Sequence, residues 1–283
     1  MRLRKQRAHD GFLDAAFLHA RVAADLADRL EAIPRNFTRT LALSGGGAFS
    51  AEVRARPELH ARLGSIIEAD VASGDVQLDP EQLPFADESF DLVVSPLLLH
   101  WVNDLPGALI QIRRALKPDG LMLASLFGGR TLHELRFCLL QAEEETSGGA
   151  SLRVAPFAQL EDIAGLLQRA GFALPAADRD IVAVRYSQPL KLLADLRAMG
   201  ETAALAERAK PLTRAVLIRA MQLYRANHAD PDGRVRATFE ILTATGWAPA
   251  DSQPKPLKPG SAKTRLADAL GVVERSAGEK ARE

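Results

Sequence analysis

His100 and Trp101 are the side chains best placed in this sequence to do chemistry. They follow the run from Phe90 to Ser95, which is apolar and rich in β-branched residues, as in a strand buried on both faces of a parallel sheet. Side chains just past the carboxyl end of such a strand meet the ligands of open α/β sheets. An imidazole there suits a general base, and an indole ring suits stacking on a cation. A packed histidine hydrogen-bonded to the backbone is the alternative.

Two acids and a glycine turn favour an adenosyl ligand at the same sheet edge. Gly45 and Gly47 belong to a triple-glycine turn after the short apolar strand from Thr40 to Ser44, and such a turn lets backbone N–H groups approach a ligand closely. Asp70 ends the next strand, where a carboxylate accepts hydrogen bonds from both ribose hydroxyls. Asp79 follows and is a candidate partner of the adenine amino group. Solvated loop carboxylates and a tight connection are the alternatives.

A non-haem iron site is a further hypothesis. Two histidines and one carboxylate hold the iron of many oxygenases. The candidates that could join His100 are Asp104, His133 and Glu134. Chain spacing does not require these residues to meet, and the two acids also suit the first turns of helices. We therefore assign no metal ligands.

The alternation of strands and helices predicts the scaffold that positions these residues. It indicates right-handed crossovers and a mostly parallel sheet. We expect an α/β fold with a doubly wound seven-stranded sheet, an antiparallel last strand, and a helical insertion at about 189–230 before that strand. Residues 1–250 are expected to form this domain, and residues 251–283, rich in proline and charge, are expected to be disordered.

Local patterns set the ends of several elements. Asn103 is predicted to cap the helix that follows Trp101. Thr131 and Glu134, three residues apart, predict a capping box for a later helix. Alternating and β-branched patterns predict two late strands, at Ile181 to Tyr186 and within Val235 to Trp247.

Composition excludes several classes of protein. The chain has 283 residues, of which 47% are hydrophobic and 25% charged, as in a folded domain. Its 36 basic and 36 acidic residues cancel, so no positive field favours nucleic acid. The single cysteine, Cys138, excludes an internal disulfide. No apolar run approaches the ~20 residues of a transmembrane helix, and no signal core follows the basic start, so we expect a cytoplasmic protein.

Several stretches of the sequence resemble one protein family. They are IPRNF (33–37), LPFADESFDLVVSPLLLHWVNDLPGAL (83–109), LKPDG (116–120), FGGRTLHELR (127–136), AMGE (198–201) and ATFEILTATGW (237–247). Together they resemble the family of NADH:ubiquinone oxidoreductase complex assembly factor 5, which has the class I S-adenosylmethionine-dependent methyltransferase fold and is reported as a protein-arginine hydroxylase. The combination of FDLVVS…LHWVNDLP with FGG.TL.ELR is specific, and the resemblance covers nearly the whole chain.

The resemblance implies a function, a cofactor and a partner. The function is modification of an arginine on a respiratory complex I subunit near the quinone site, which could bring the protein to the inner membrane. The cofactor is S-adenosyl-L-methionine, with Asp70 and Asp79 matching the ribose and adenine acids of the family and Gly45 and Gly47 matching its glycines.

One departure from the family leaves the function open. The glycine motif of the family resembles Asp-Leu-Gly-x-Gly-x-Gly, whereas Leu43 stands at its acidic position and Phe49 at its third glycine. We expect weakened cofactor binding, which Leu43→Asp should tighten. Three functions follow: an enzyme that hydroxylates or methylates a protein arginine, a catalytically silent assembly chaperone, and a carboxyl methyltransferase acting on a small molecule or carrier protein.

Overall fold

The computed structural model describes residues 12–43, 46–202, 211–254, 264 and 266–273. The chain divides into two compact units, residues 1–250 and 251–283. Most of the second unit, which the sequence predicts to be disordered, lies outside the described residues, and its described part includes the short helix Leu266–Leu270. The sheet and the candidate site belong to the first unit.

A seven-stranded sheet runs through the described part of the first unit. Its strands are β1 Arg39–Leu43, β2 Ser65–Asp70, β3 Val76–Gln77, β4 Phe90–Pro96, β5 Leu116–Phe127, β6 Ala173–Tyr186 and β7 Val235–Trp247. They lie in the order β3-β2-β1-β4-β5-β7-β6. The pairs from β3 to β5 are parallel, whereas β7 is antiparallel to both of its neighbours. The predicted doubly wound sheet with an antiparallel last strand is confirmed.

Helices cover both faces of the sheet because the central strands are apolar on both faces. Leu92 and Val94 belong to one buried cluster and Val93 to another, since neighbouring side chains of a strand point to opposite faces. The helices described in this unit are α1 Phe12–Ala15, α2 Phe17–Glu31, α3 Ala48–Arg54, α4 Pro57–Arg62, α5 Leu105–Ala115, α6 His133–Ser147, α7 Leu160–Arg169, α8 Pro189–Ala198 and α9 Arg214–His228. Helices α5 and α7 pack in the cluster of Val93, and the others pack in the cluster of Leu92.

The helical insertion predicted from the sequence, α8 and α9, connects β6 to β7. These two strands extend beyond β5, because residues 235–240 of β7 pair with β6 alone. The hydroxyl of Tyr224 on α9 donates a 2.8 Å hydrogen bond to the carbonyl of Arg236, which fixes the insertion on β7. Strand β6 begins at Ala173, whereas the sequence predicted its start at Ile181.

The cap predicted for α5 is off by one residue. Asp104 is the N-cap, and its Oδ1 accepts a 2.9 Å hydrogen bond from the backbone N–H of Gly107. Asn103 instead donates from Nδ2 to the carboxylate of Glu81, at 3.1 Å. The helix therefore begins with a charged cap, which also interacts favourably with the helix dipole.

The capping box predicted for α6 is wrong. Leu132 is the N-cap residue, in the left-handed region at φ 55°. Glu134 accepts hydrogen bonds from the backbone N–H of Thr238, at 3.1 Å, and from its hydroxyl, at 2.5 Å. The hydroxyl of Thr131 donates to the carbonyl of Glu240 at 3.1 Å. Both side chains therefore join α6 to β7.

Candidate functional site

His100 and Trp101 lie at the carboxyl edge of the sheet, where the chain bends sharply after β4. Leu97 takes φ 51°, and its N–H donates a 2.8 Å hydrogen bond to the carbonyl of Ser125 on β5. One 3₁₀ turn, Leu99–Trp101, follows. The two side chains thus stand where the sequence predicted them, and their catalytic roles stay predictions.

Glu201 lies between two histidines in a buried group that we call the His–Glu–His cluster (His19, Glu201, His100). Nε2 of His100 lies 3.0 Å from Oε2 of Glu201, and Nε2 of His19 lies 3.6 Å from Oε1. The three side chains are only 1%, 2% and 1% exposed. Burial acts to raise the pKa of Glu201, but the charge and hydrogen bond of His100, helped by His19, hold that pKa well below its usual range. Glu201 is therefore a carboxylate at neutral pH.

The surroundings of His100 are those of a packed side chain. Its ring centroid lies 4.6 Å from that of Phe127 and 5.9 Å from that of Phe157. The packed-histidine alternative therefore describes its burial, with the carboxylate of Glu201 as a hydrogen-bond partner. A carboxylate on one ring nitrogen fixes the ring orientation and favours a proton on that nitrogen.

The sequence reasoning missed His19 and the role of Glu201. His19 lies within the amphipathic helix α2, and its position in the sequence fits the row of buried residues that packs against the core. Glu201 follows α8 and ends the AMGE stretch that carried the family resemblance. That stretch was the available signal for Glu201, whereas His19 gave none.

An apolar pocket of about 240 Å³ opens beside the His–Glu–His cluster, and we call it the inner pocket. Its apolar wall includes Trp101, Phe127, Leu135, Phe157 and Phe239. Its polar lining consists of Thr131, Arg153, Arg197, Glu201 and Thr202. Nε of Arg153 donates a 2.9 Å hydrogen bond to Glu143, which neutralises that arginine. The ionised Glu201 thus faces a largely apolar space.

A second pocket, of about 470 Å³, lies on the other side of Trp101, and we call it the outer pocket. Asp79, Leu78 and Asn103 belong to its lining. Trp101 lines both pockets. Its Nε1 is buried and has no hydrogen-bond partner among the described residues. Trp101 therefore lines both pockets, and its indole N–H is available to donate a hydrogen bond.

Asp70 and Asp79 lie at the same edge of the sheet. The backbone N–H of Leu78 donates to the carbonyl of Asp70 at 3.0 Å, which brings Asp79 next to the end of β2. Asp70 is 3% exposed, and its Oδ1 accepts a 2.7 Å hydrogen bond from the N–H of Val71. Asp79 is exposed and lines the outer pocket. The two acids share the sheet edge at which the sequence predicts the ribose and adenine sites, and their roles stay predictions.

The glycine turn follows β1, and Gly45 within it lies outside the described residues. Gly46 takes φ 82°, and the ring of Phe12 comes within 2.4 Å of the position where a Cβ would stand, so only glycine fits. Gly47 takes φ 74° and precedes α3. Leu43 and Phe49 are both fully buried in the core. Leu43→Asp would therefore place a carboxylate among apolar side chains, which opposes the tighter binding predicted from the sequence.

The structure does not bring the residues of the iron-site hypothesis together into one site. His100 contacts Glu201, Asp104 caps α5, and Glu134 bonds to β7. Nδ1 of His133 lies 3.0 Å from the carbonyl of Arg130 and 3.4 Å from Oε2 of its neighbour Glu134. Within the described ranges, no group of three or more His, Cys, Asp or Glu side chains could hold a metal ion.

Comparison with known proteins decides the family. A family model described as a methyltransferase domain matches residues 36–124. The arginine-hydroxylase NDUFAF5, mitochondrial, of Danio rerio is 37% identical over 280 residues, which cover 95% of this chain and 87% of that protein. The chain belongs to the arginine-hydroxylase NDUFAF5 family. The resemblance drawn from the sequence is thereby confirmed.

Proteins outside the NDUFAF5 family are also similar to this chain. A malonyl-[acyl-carrier protein] O-methyltransferase of Halorhodospira halophila is 32% identical over 253 residues, which cover 83% of this chain and 82% of that protein. A solved protein of Bacillus halodurans C-125, described as a candidate methyltransferase, shares the fold with a TM-score of 0.53 at 16% identity, over 80% of this chain and 99% of that one. Among the residues that the structure describes, no helix is long and apolar enough to cross a bilayer.

Proposed function

We propose that this protein modifies an arginine side chain of another protein, with S-adenosylmethionine held at the outer pocket and the arginine in the inner pocket. The NDUFAF5 relatives carry the name arginine hydroxylase, and the methyltransferase domain supports the cofactor. The protein target is a respiratory complex I subunit near the quinone site, as the family resemblance of the sequence implies. The cytoplasmic location stays a prediction.

The ionised carboxylate of Glu201 in the wall of the inner pocket is the observation that carries this proposal. A carboxylate in a poorly solvated pocket attracts a cation far more strongly than one in water. A guanidinium also matches a carboxylate in geometry, because its planar donors bind two oxygens at once. Trp101 offers a ring face for the same cation. His100 occupies Oε2 of Glu201, whereas Oε1 has no hydrogen-bond partner among the described residues. This unsatisfied oxygen and the shape of the carboxylate therefore favour an arginine over a neutral or acidic substrate.

Each residue of the site has a separate task in this proposal. Asp70 and Asp79 hold the ribose and adenine of the cofactor, which supplies an electrophilic methyl group when bound. Trp101 separates the two pockets and packs against the arginine. Glu201 holds the guanidinium, while His100 and His19 keep the Glu201 carboxylate ionised and oriented.

Carboxyl methylation is the second candidate, because of the malonyl-carrier relative at 32% identity. Its substrate is an anion, which Glu201 would repel from the inner pocket. Of the two arginines in its lining, Arg153 is already paired with Glu143, and Arg197 is exposed to solvent, which screens its charge. The buried charge therefore argues for the arginine substrate.

Mass spectrometry of the target subunit tests the proposal. The purified chain, S-adenosylmethionine and the quinone-proximal subunit are incubated with cell extract as the source of any oxidant, and arginine peptides are mapped. One added oxygen atom indicates hydroxylation, and one added methyl group indicates methyl transfer. The reaction is then repeated with isotopically heavy oxygen gas and, separately, with water that carries heavy oxygen. The experiment in which the peptide gains the heavy isotope identifies the source of the added oxygen atom.

Two glutamine variants make the test specific. Glu201→Gln keeps the side-chain shape, removes the charge, and should lower modification at least tenfold, since a charge-assisted pair contributes about 1.5–3 kcal/mol. Glu134→Gln is the matched control, because Glu134 is also a buried, hydrogen-bonded glutamate but does not line the inner pocket. Absence of modification by the wild type would favour the assembly chaperone, and methyl ester on malonyl-carrier protein would favour carboxyl methylation.

A further inference from the structure

Glu68 on β2 directs its carboxylate at the glycine turn. In the parallel register of β1 and β2 it stands opposite Ala42, one residue before the end of β1. Its Oε2 and Oε1 lie 3.5 Å and 3.6 Å from the position that a Cβ of Gly47 would occupy. The carboxylate therefore lies against the turn that opens toward the ligand edge.

One oxygen of this carboxylate has no hydrogen-bond partner within the part of the chain that the structure describes. Oε1 of Glu68 is inaccessible to solvent and has no partner among the described residues, although the side chain as a whole is half-buried. Buried carboxylate oxygens are normally hydrogen-bonded, because an unsatisfied one loses its hydration without compensation. The backbone N–H of Glu68 is already bonded to Asp75, at 2.9 Å, so the strand itself is fixed. Oε1 of Glu68 thus has unused capacity to accept a hydrogen bond.

We propose that Glu68 binds the ammonium group of the amino-acid portion of the adenosyl ligand, an inference that rests on the cofactor of the proposed function. An ammonium brings three N–H donors and a positive charge, both of which an unsatisfied carboxylate requires. Leu43, at the acidic position of the glycine motif, is fully buried in the core and has no charge to offer. Glu68 supplies from the neighbouring strand the negative charge that Leu43 lacks.

The position of Asp70 supports separate roles for the two acids, with Asp70 at the ribose and Glu68 at the ammonium group. Glu68 and Asp70 are two residues apart on one strand, so their side chains point to the same face, about 6.6 Å apart along the strand. A single extended ligand spans that distance with its ribose at one acid and its amino group at the other. Gly47, in the glycine turn, lies beside the Glu68 end of this pair, because a Cβ added to it would stand 3.5 Å from Oε2 of Glu68.

Calorimetry with two ligands tests the role of Glu68. S-Adenosylmethionine carries the ammonium, and 5′-methylthioadenosine keeps the nucleoside but lacks the amino-acid portion. Glu68→Gln should weaken binding of S-adenosylmethionine about tenfold or more and leave binding of methylthioadenosine unchanged. Glu68→Asp, which shortens the reach, should weaken the first ligand in the same way if the glutamine variant does not fold. Glu58→Gln, an exposed glutamate on α4, is the matched control and should change neither affinity.

The outcomes separate this inference from the proposed function. If the wild type binds both ligands and Glu68→Gln weakens both equally, or neither, the inference is wrong while the cofactor assignment stands. If the wild type binds neither ligand, the cofactor of the proposed function fails, and the role of Glu68 fails with it. Thermal unfolding of each variant, measured in parallel, verifies that the affinities refer to folded protein.

Discussion

Replacing Glu201 by glutamine should destabilise the protein in a pH-dependent way. The substitution keeps the shape of the side chain and turns a charge-assisted hydrogen bond to His100, at 3.0 Å, into a neutral one. Charged hydrogen bonds contribute about 1.5–3 kcal/mol and neutral ones about 0.5–1.5 kcal/mol, so the loss should be about 1–2 kcal/mol. Solvent screening takes little from this figure, because the two side chains are 1% and 2% exposed. For a unit of this size the midpoint should fall by about 2–8 °C.

The pH dependence follows from the direction of the pKa shift. Folding lowers the pKa of Glu201, so the stability contributed by its ionised form is fully present above the unfolded-state pKa of about 4.3. It is lost as the pH falls from there toward the folded-state pKa. The difference in midpoint between wild type and Glu201→Gln should therefore be full at pH 7 and should shrink below about pH 4.

Differential scanning calorimetry from pH 7 to about pH 3 measures both effects. Glu58→Gln, an exposed substitution, should stay within about 0.5 kcal/mol of the wild type at every pH. Equal midpoints for wild type and Glu201→Gln at pH 7 would refute the argument. So would a difference that stays constant as the solution is acidified, because an ionised Glu201 would then not be its source.

Three further predictions concern single side chains. His100→Ala should lower the melting midpoint, since it removes a partner of the buried Glu201 carboxylate at a cost of about 1.5–3 kcal/mol. The same substitution should abolish arginine modification. Full activity in a destabilised variant would show that the role of His100 is structural only. Asp70→Ala should weaken S-adenosylmethionine binding at least tenfold in calorimetry, and equal affinities would remove Asp70 from the ribose site. Burial, with the charge of Glu134, raises the pKa of the Cys138 thiol to about 11. Iodoacetamide at about pH 8 should therefore alkylate Cys138 only after the protein unfolds. Rapid labelling of the native protein would contradict the burial of this thiol.

The central strands were predictable because they are short apolar runs that fit few other structures. Phe90 to Ser95 is apolar at nearly every position, as a strand covered on both faces must be. The first half of β6 gave no such signal, since Asp178, Arg179 and Asp180 have low strand propensity and their side chains are exposed. Pairing with β7 along its whole length holds that segment extended. Tertiary pairing overrides local preference there.

The candidate site was predictable only where the sheet itself positions the residues. His100, Trp101, Asp70 and Asp79 follow strand ends, and strand ends meet at one edge in any parallel sheet. Contacts between distant segments have no such rule. His100 and Glu201 are 101 residues apart, so no spacing pattern connects them.

The capping-box error has the same origin as the missed cluster. Thr131 and Glu134 fit a local motif, but hydrogen bonds to Thr238 and Glu240 on β7 compete with it and win. A sequence motif reports which local contacts are available. Partners more than a hundred residues away decide which of them form.

The extension of β6 and β7 beyond β5 places the insertion on a two-stranded part of the sheet, where α9 also packs against α6. Residues 235–240 have only one neighbouring strand, and a two-stranded ribbon resists twisting far less than a full sheet. The bond between Glu201 and His100 joins the segment after α8 to the turn after β4. Separating the two side chains would carry a negative charge from a dry contact into water, so this bond holds one wall of the inner pocket in place.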